Sequence, residues 1–262
     1  MTRVADLPGR WSSEPYLRGE RGDRGVLLVG CDDEALVGVV HSSRRGAGVL
    51  GLGAPRALAR LLVRQRAALA ETGPAFCTVE RGTAPHLDQV TLAALGIGPG
   101  AAGSHWDWLW TPSPLRAGHD DVVRLDLGPT SAAQVTDCLA RAHPDASTGP
   151  DDPRVVAWWG VPDPAAPTRL LGVVGAMQVS SGLPPHLVSL GVDPAARGRG
   201  LAGSLLAAAV DDGLRVRPAH GAPMVSLGVY AANEAALRVY HRLGFVTAHR
   251  FTSFTRDPLP WP

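Results

Sequence analysis

The chain has 262 residues, room for two compact domains of about 120–140 residues each. Hydrophobic residues make up 45% and charged residues 19%, so it can bury a sizeable core and is not of the disordered class. The formal net charge is +1, which leaves no global field to draw it to nucleic acid or a membrane surface, and neither is expected as a partner.

Lysine is absent, so every basic side chain is Arg. That excludes a Walker lysine, a pyridoxal Schiff base and a lysine nucleophile. Cys31, Cys77 and Cys138 are isolated, and neither CxxC nor HExxH occurs. A structural zinc site or a disulfide framework is therefore not expected, and no metal is assigned. Met1 to Tyr16 holds no apolar run, and no stretch is long enough to span a bilayer. No signal peptide is expected, and a reducing cytoplasm fits.

In chain order, residues 25–110 carry a faint αβ pattern. Leu50-Gly-Leu-Gly-Ala-Pro55 leads into an amphipathic helix over 56–70, and 75–80 reads as a strand. The next stretch, 86–97, ends in Leu95-Gly-Ile97. Trp106-Asp-Trp-Leu-Trp110 puts three Trp on one face if it is a strand, as an aromatic core or a domain interface would. Residues 111–119, rich in Pro and Gly, read as a linker. The domains expected are 1–118 and 119–262. In the second, 122–127 alternates as a strand, and Thr130 or Ser131 can cap a helix to about His143. Residues 145–153 form a polar loop. Strands follow over 155–161 and 170–179, with a turn over 162–167, and then a strand over 187–192. A helix over 201–214, a strand over 225–229, a helix over 233–243 and a strand over 245–254 complete a mixed α/β plan.

The chemistry concentrates after residue 187. Leu187-Val-Ser-Leu-Gly-Val192 is a strand, Asp193-Pro-Ala-Ala-Arg-Gly-Arg-Gly200 a turn, and a helix follows at once. Such a junction points free N–H groups at one spot with the positive end of the helix dipole behind them. Gly198, Gly200 and Gly203 keep the approach clear of Cβ atoms, while Arg197 and Arg199 add charge, which suits a pyrophosphate. Gly198-Arg-Gly-Leu-Ala-Gly203 also satisfies GxGxxG, so a nicotinamide-dependent oxidoreductase is an alternative. The intervening 193–197 and the motif's late position rank it lower.

Arg197-Gly-Arg-Gly-Leu-Ala202 resembles the Arg/Gln-x-x-Gly-x-Gly/Ala loop of the GCN5-related N-acetyltransferase (GNAT) superfamily, and 225–245, VSLGVYAANEAALRVYHRLGF, resembles its next block. The resemblance covers about residues 122–254, roughly half the chain. It implies an acyl-CoA N-acyltransferase-like fold in the C-terminal half and acetyl-CoA as cosubstrate. It implies an N-acetyltransferase that moves the acetyl group to a small-molecule or peptide amine by direct attack in a ternary complex. Acetyl-CoA would lie where the strand ending at Val192 splays from the strand ending at Val229. Main chain at Leu190, Gly191 and Val192 would bind the pantetheine arm and polarise the thioester carbonyl. Arg197 to Gly203 (with Leu201 and Ala202), Asn233, Ala236 and Tyr240 would complete the cofactor site. Tyr240 would also protonate the departing thiolate.

The residues also make physical sense by themselves, although without the resemblance Tyr240 reads as a core aromatic on an apolar helix face. Asn233 can cap its helix, and Gly244 can end it. Ala236, Tyr240 and Leu243 share one face, with Tyr240 ~10 Å along the axis from the cap. Gly191 inside a strand suggests a bulge or a close backbone approach. His186, Asp193 and Glu234 are candidate bases by proximity in sequence alone. The N-terminal half reads as a smaller, degenerate GNAT-like repeat in which Leu92 stands opposite Tyr240. A module that senses acyl-CoA or a nucleotide without turnover is the alternative from another class.

Overall fold

A computed structural model of the chain describes residues 1–42, 45–178, 180 and 182–256, Asp23 by its backbone alone. In chain order the elements are α1 (Pro15–Glu20), β1 (Leu27–Cys31), β2 (Ala35–Ser42), β3 (Gly46–Gly53), α2 (Pro55–Glu71), β4 (Phe76–Glu80), α3 (Gln89–Ala94) and β5 (Ser104–Thr111). Then come β6 (Val123–Leu125), α4 (Pro129–Ala142), β7 (Val155–Asp163), β8 (Ala166–Met177), β9 (His186–Val192), α5 (Leu201–Arg215), β10 (Val225–Tyr230), α6 (Glu234–Leu243) and β11 (Val246–Thr255).

The chain packs as two units. Of the described residues, the first comprises Met1–Trp108, Val229–Glu234 and 247–256; the second comprises Leu109–Gly228 and Ala235–Val246. Within the first, the strand order is β1-β2-β3-β4-β11-β5. The β1-β2-β3 meander is antiparallel, and α2 crosses over to make β3 and β4 parallel, with Val49 paired to Cys77. β11 lies antiparallel to β4, from Phe251↔Glu80 to Thr255↔Phe76. The last strand is thus a core strand of the first unit. Its apolar residues signal burial but do not encode which neighbour they find.

Leu58, Leu61 and Leu62 on α2 pack with Val37, Val49 and Val79 of the sheet in one core. A second, aromatic layer holds Tyr16, Trp106, Trp108 and Phe251, with Tyr16 edge-on to Trp108 at 5.4 Å and to Phe251 at 5.0 Å. Trp106 and Trp108 are therefore core residues, as alternation along β5 requires. Trp106 Nε1 donates to Ser253 Oγ at 2.9 Å and Trp108 Nε1 to Glu20 at 2.9 Å, so neither indole N–H is stranded.

The second unit has strand order β10-β9-β8-β7-β6. Its β7-β8-β9 meander is antiparallel, and α5 crosses over to make β9 and β10 parallel. The two units therefore share a plan: an antiparallel meander, then a strand–helix–strand crossover, then a short helix. They also share a helix end. Gly96 and Gly244 both have positive φ, 72° and 111°. Ile97 N–H donates to Leu92 O at 2.9 Å, and Phe245 N–H to Tyr240 O at 3.0 Å. Gly96 N–H donates to Ala93 O, and Gly244 N–H to His241 O. Both are Schellman ends, so Leu92 and Tyr240 occupy the same position of the same motif.

Most expected elements lie within a few residues of their observed bounds. The expected strand over 122–127 shrinks to the three residues of β6. The cap of α4 is Gly128, with Pro129 at the first helical position, in place of Thr130 or Ser131. The expected turn over 162–167 tightens to Pro164 and Ala165, because Asp163 accepts from Ala165 N–H and pairs across to Ala166. The expected strand over 170–179 begins earlier, at Ala166, and Val179 lies outside the described residues.

Candidate active site

β9 departs from a regular strand where the sequence singled it out. Val173 faces Gly191 and Gly175 faces Val188, so β9 spends one residue more than β8 between these pairs. The bulge sits at Ser189 and Leu190, and Ser189 has φ 53°, the one positive value recorded for a non-glycine residue among those described. Gly191 serves a second purpose. A Cβ there would meet Ala142 Cβ at 3.0 Å and His143 Cβ at 3.4 Å, so its absence lets α4 lie close to the strand. β10 runs parallel to β9 through Ser226↔His186 and Leu227↔Leu187. β9 continues to Val192, and among the described residues β10 does not pair with it beyond Leu187. A bulged strand whose neighbour leaves it presents unpaired main-chain groups.

The turn that follows is anchored by Asp193, whose side chain is 5% exposed. Its carboxylate accepts from Arg141 Nε at 3.0 Å, from Arg169 Nη2 at 2.8 Å and from Ala195 N–H at 3.0 Å. The Arg169 hydrogen bond first, then Arg141, then the Ala195 N–H, hold its pKa down to about 2. A carboxylate so committed is a weak base, which removes Asp193 from the candidate bases and makes it the anchor of the loop. His186 is the first residue of β9 rather than a loop residue, with Nδ1 2.9 Å from Ser226 Oγ. Glu234 opens α6 and is exposed.

Gly198 and Gly200 have φ 79° and 81°, the left-handed region where side chains are strained. Gly200 is the N-cap of α5 and has no side chain to satisfy the first turn. The N–H groups of Gly203 and Ser204 turn back to Gly200 O, leaving those of Leu201 and Ala202 without an intrahelical partner. A Cβ on Gly198 or Gly200 would meet nothing within 4 Å, so both positions face open space. Arg197 points elsewhere: Nε donates to Val192 O at 3.2 Å and Nη2 to Ala142 O at 3.4 Å. It braces the loop against β9 and the end of α4, while Arg199 is exposed.

α6 brings Tyr240 and Leu243 to its buried face, with Ala236 half-buried one turn earlier. Gly203 on the first turn of α5 would place a Cβ 3.7 Å from Leu243, so the start of α5 abuts the last turn of α6. Tyr240 is 8% exposed and edge-on to Phe245 at 5.9 Å, and among the described residues its hydroxyl makes no hydrogen bond. Burial pushes its phenol up to about 12, so the oxygen keeps its proton at any physiological pH. Asn233 directly precedes α6, is exposed and donates its N–H to Tyr230 O at 2.9 Å. Sequence reasoning missed Ser189, Arg141 and Arg169; a left-handed serine and long-range ion pairs leave no local pattern.

The first unit offers a contrast at the corresponding helix start. Ala54 caps α2 without a side-chain bond, and Pro55 occupies the first helical position. No glycine lies in 54–59, the stretch that matches the Gly198 to Gly203 loop, and Pro55 has no N–H to offer.

The Acetyltransferase (GNAT) family model matches residues 132–245. A mycothiol acetyltransferase of Mycolicibacterium paratuberculosis is 31% identical over 223 residues, 74% of this chain and 68% of that protein. Another from Gordonia bronchialis is 47% identical over 83 residues, 32% of this chain and 25% of that protein. Among solved structures, a GCN5-related N-acetyltransferase from Kribbella flavida has a TM-score of 0.51 at 17% identity, with 99% of this chain and 97% of that one covered. A GNAT-family acetyltransferase from Novosphingobium aromaticivorans gives 0.50 at 22% identity over 87% and 89%. These two likenesses carry the fold. The chain belongs to the GNAT family and is an acetyl-CoA-dependent N-acetyltransferase.

Proposed function

We propose that the half of the chain from 119 to 262 binds acetyl-CoA along β9 and the start of α5 and passes its acetyl group directly to a bound amine. The observation that carries this reading is Gly200, left-handed at the cap of α5, with the free N–H groups of Leu201 and Ala202 behind it and the bulged end of β9 before it. The pyrophosphate sits on the N–H groups of 198–202, with the exposed Arg199 as its cation and Gly203 and Ala236 keeping the way clear. Main chain at Leu190, Gly191 and Val192 takes the pantetheine amide and polarises the thioester carbonyl. Asn233 completes the cosubstrate site.

The amine nitrogen attacks the carbonyl carbon, the C–S bond breaks, and nitrogen loses its extra proton to water or a nearby base. The thiolate sulfur takes a proton from Tyr240. The match is close in an apolar site. Burial raises thiols in this same chain, Cys138 to about 11 and Cys77 to about 12, close to the value Tyr240 reaches.

The acceptor is a small-molecule amine. The likeness to mycothiol acetyltransferases favours an acceptor of the mycothiol type over a peptide. Work in the reducing cytoplasm suits its free Cys31, Cys77 and Cys138. The first unit, with Pro55 in place of the glycine loop and Leu92 in place of Tyr240, carries no chemistry of its own. The test is an amine panel that follows CoA release and includes amines of the mycothiol type. Release that depends on the amine supports the reading. Acetyl-CoA binding without release from any amine overturns it in favour of a sensor.

A further inference from the structure

A β-bulge leaves an extra residue out of register, and its shape is soft unless something else fixes it. Here the bulge contains Ser189, a residue with a Cβ at φ 53°, where the backbone is strained. Such a conformation persists only when its surroundings over-determine it. Ser189 Oγ donates to Thr148 O at 2.6 Å. Thr148 is 3% exposed and lies in the loop joining α4 to β7, a connection that is otherwise irregular. A buried carbonyl on a loop is thus satisfied by the one strained side chain in the strand, and the hydrogen bond spans 41 residues of sequence.

We infer that Ser189 is a positioning residue for acetyl transfer. Its hydroxyl straps the β9 bulge to the 145–153 loop and so holds the main chain of Leu190 to Val192 in the shape that polarises the thioester carbonyl. The inference rests on the proposed reading of β9 as the thioester site. The strap touches neither the pyrophosphate loop nor Tyr240. Its loss therefore acts more on the transition state than on acetyl-CoA affinity, to which the pyrophosphate loop still contributes. The need for a hydroxyl explains why glycine is not used: glycine would relax the angle but could not reach Thr148 O.

Three variants at one position separate strap from strain. Ser189→Ala keeps the strain and loses the strap, Ser189→Gly loses both, and Ser189→Asn tolerates positive φ and carries a donor. Ser189→Ala and Ser189→Gly should each lower kcat about fivefold to tenfold, the worth of one hydrogen bond. Acetyl-CoA affinity by calorimetry should stay within about twofold. Ser189→Gly should melt no lower than Ser189→Ala, and Ser189→Asn should recover most of the lost kcat. Wild-type kcat in the Ala and Gly variants would overturn the inference, as would a kcat loss matched by an equal loss of acetyl-CoA affinity, or no recovery in Ser189→Asn. Wild-type protein that binds no acetyl-CoA would bring down the site reading and this inference with it. An active wild type with indifferent Ser189 variants brings down the inference alone.

Discussion

Replacing Asp193 by Asn removes one charge from the turn between β9 and α5 and leaves the side chain's size unchanged. Arg141 and Arg169 then face a neutral amide. Their side chains are 30% and 44% exposed, so both can turn to water and neither is stranded as a fully buried ion would be. The loss is therefore close to what the carboxylate itself reports. Its pKa falls from 3.8 to about 2 on folding, which corresponds to about 2 kcal/mol at neutral pH. The sign follows from the depressed value. The contribution is present above the unfolded pKa of 3.8 and is lost as pH falls through about 2. Urea denaturation of wild type and Asp193→Asn from pH 7 down to pH 3 should show a gap of about 2 kcal/mol that narrows below about pH 4. Because the same turn carries Gly198 and Gly200, acetyl-CoA should also bind the variant more weakly. A constant gap across this range, or no gap at pH 7, would refute the anchoring role.

Other outcomes follow from the same geometry. Gly200→Val puts a β-branched residue at φ 81° and fills the open space before α5; acetyl-CoA affinity should fall about tenfold or more in calorimetry, while Gly200→Asn, tolerant of positive φ, should fall less. Tyr240→Phe keeps the packing on Phe245 and removes the proton, so CoA release should slow with acetyl-CoA affinity unchanged. In the first unit His249 is buried with its Nε2 2.7 Å from Glu14 Oε1 and its Nδ1 bonded to Glu80. Burial opposes the charged ring, but the hydrogen bonds to Glu14 and Glu80 outweigh it and raise the pKa to about 9. That stabilisation is full below pH 6.5 and lost as pH rises through about 9, so His249→Gln should flatten the fall in unfolding free energy between pH 6 and 10.

The sequence exposes its structure unevenly, for physical reasons. The junction of β9 and α5 is legible because glycines at positive φ and a helix start are local events. So is the end of α6, where Gly244 follows Leu243. The strands β1 and β2 are not singled out in the same way. β2 is buried over its first six residues, so it shows no alternation to separate a strand from any other apolar run. The partner of β11 is equally illegible, since its pairing with β4 joins residues about 170 positions apart. At the site, Tyr240 and the glycine loop are visible in the sequence, and Gly191 marks the strand that bulges. The bulge itself falls at Ser189 and Leu190, and Gly191 instead makes room for α4. Arg197, read as a phosphate ligand, braces the loop through two main-chain carbonyls. In both cases the residue type is legible, but its partner is set by packing between distant segments.

One acetyl-CoA per chain is expected to bind, at the start of α5. Calorimetric titration of the full chain, with a crystal structure of the titrated complex, tests it directly. The expected result is one equivalent, with the pyrophosphate on the N–H groups around Gly200, the thioester against the β9 bulge and the sulfur within reach of the Tyr240 hydroxyl. Two equivalents per chain, or a pyrophosphate at Pro55 instead of Gly200, would contradict it.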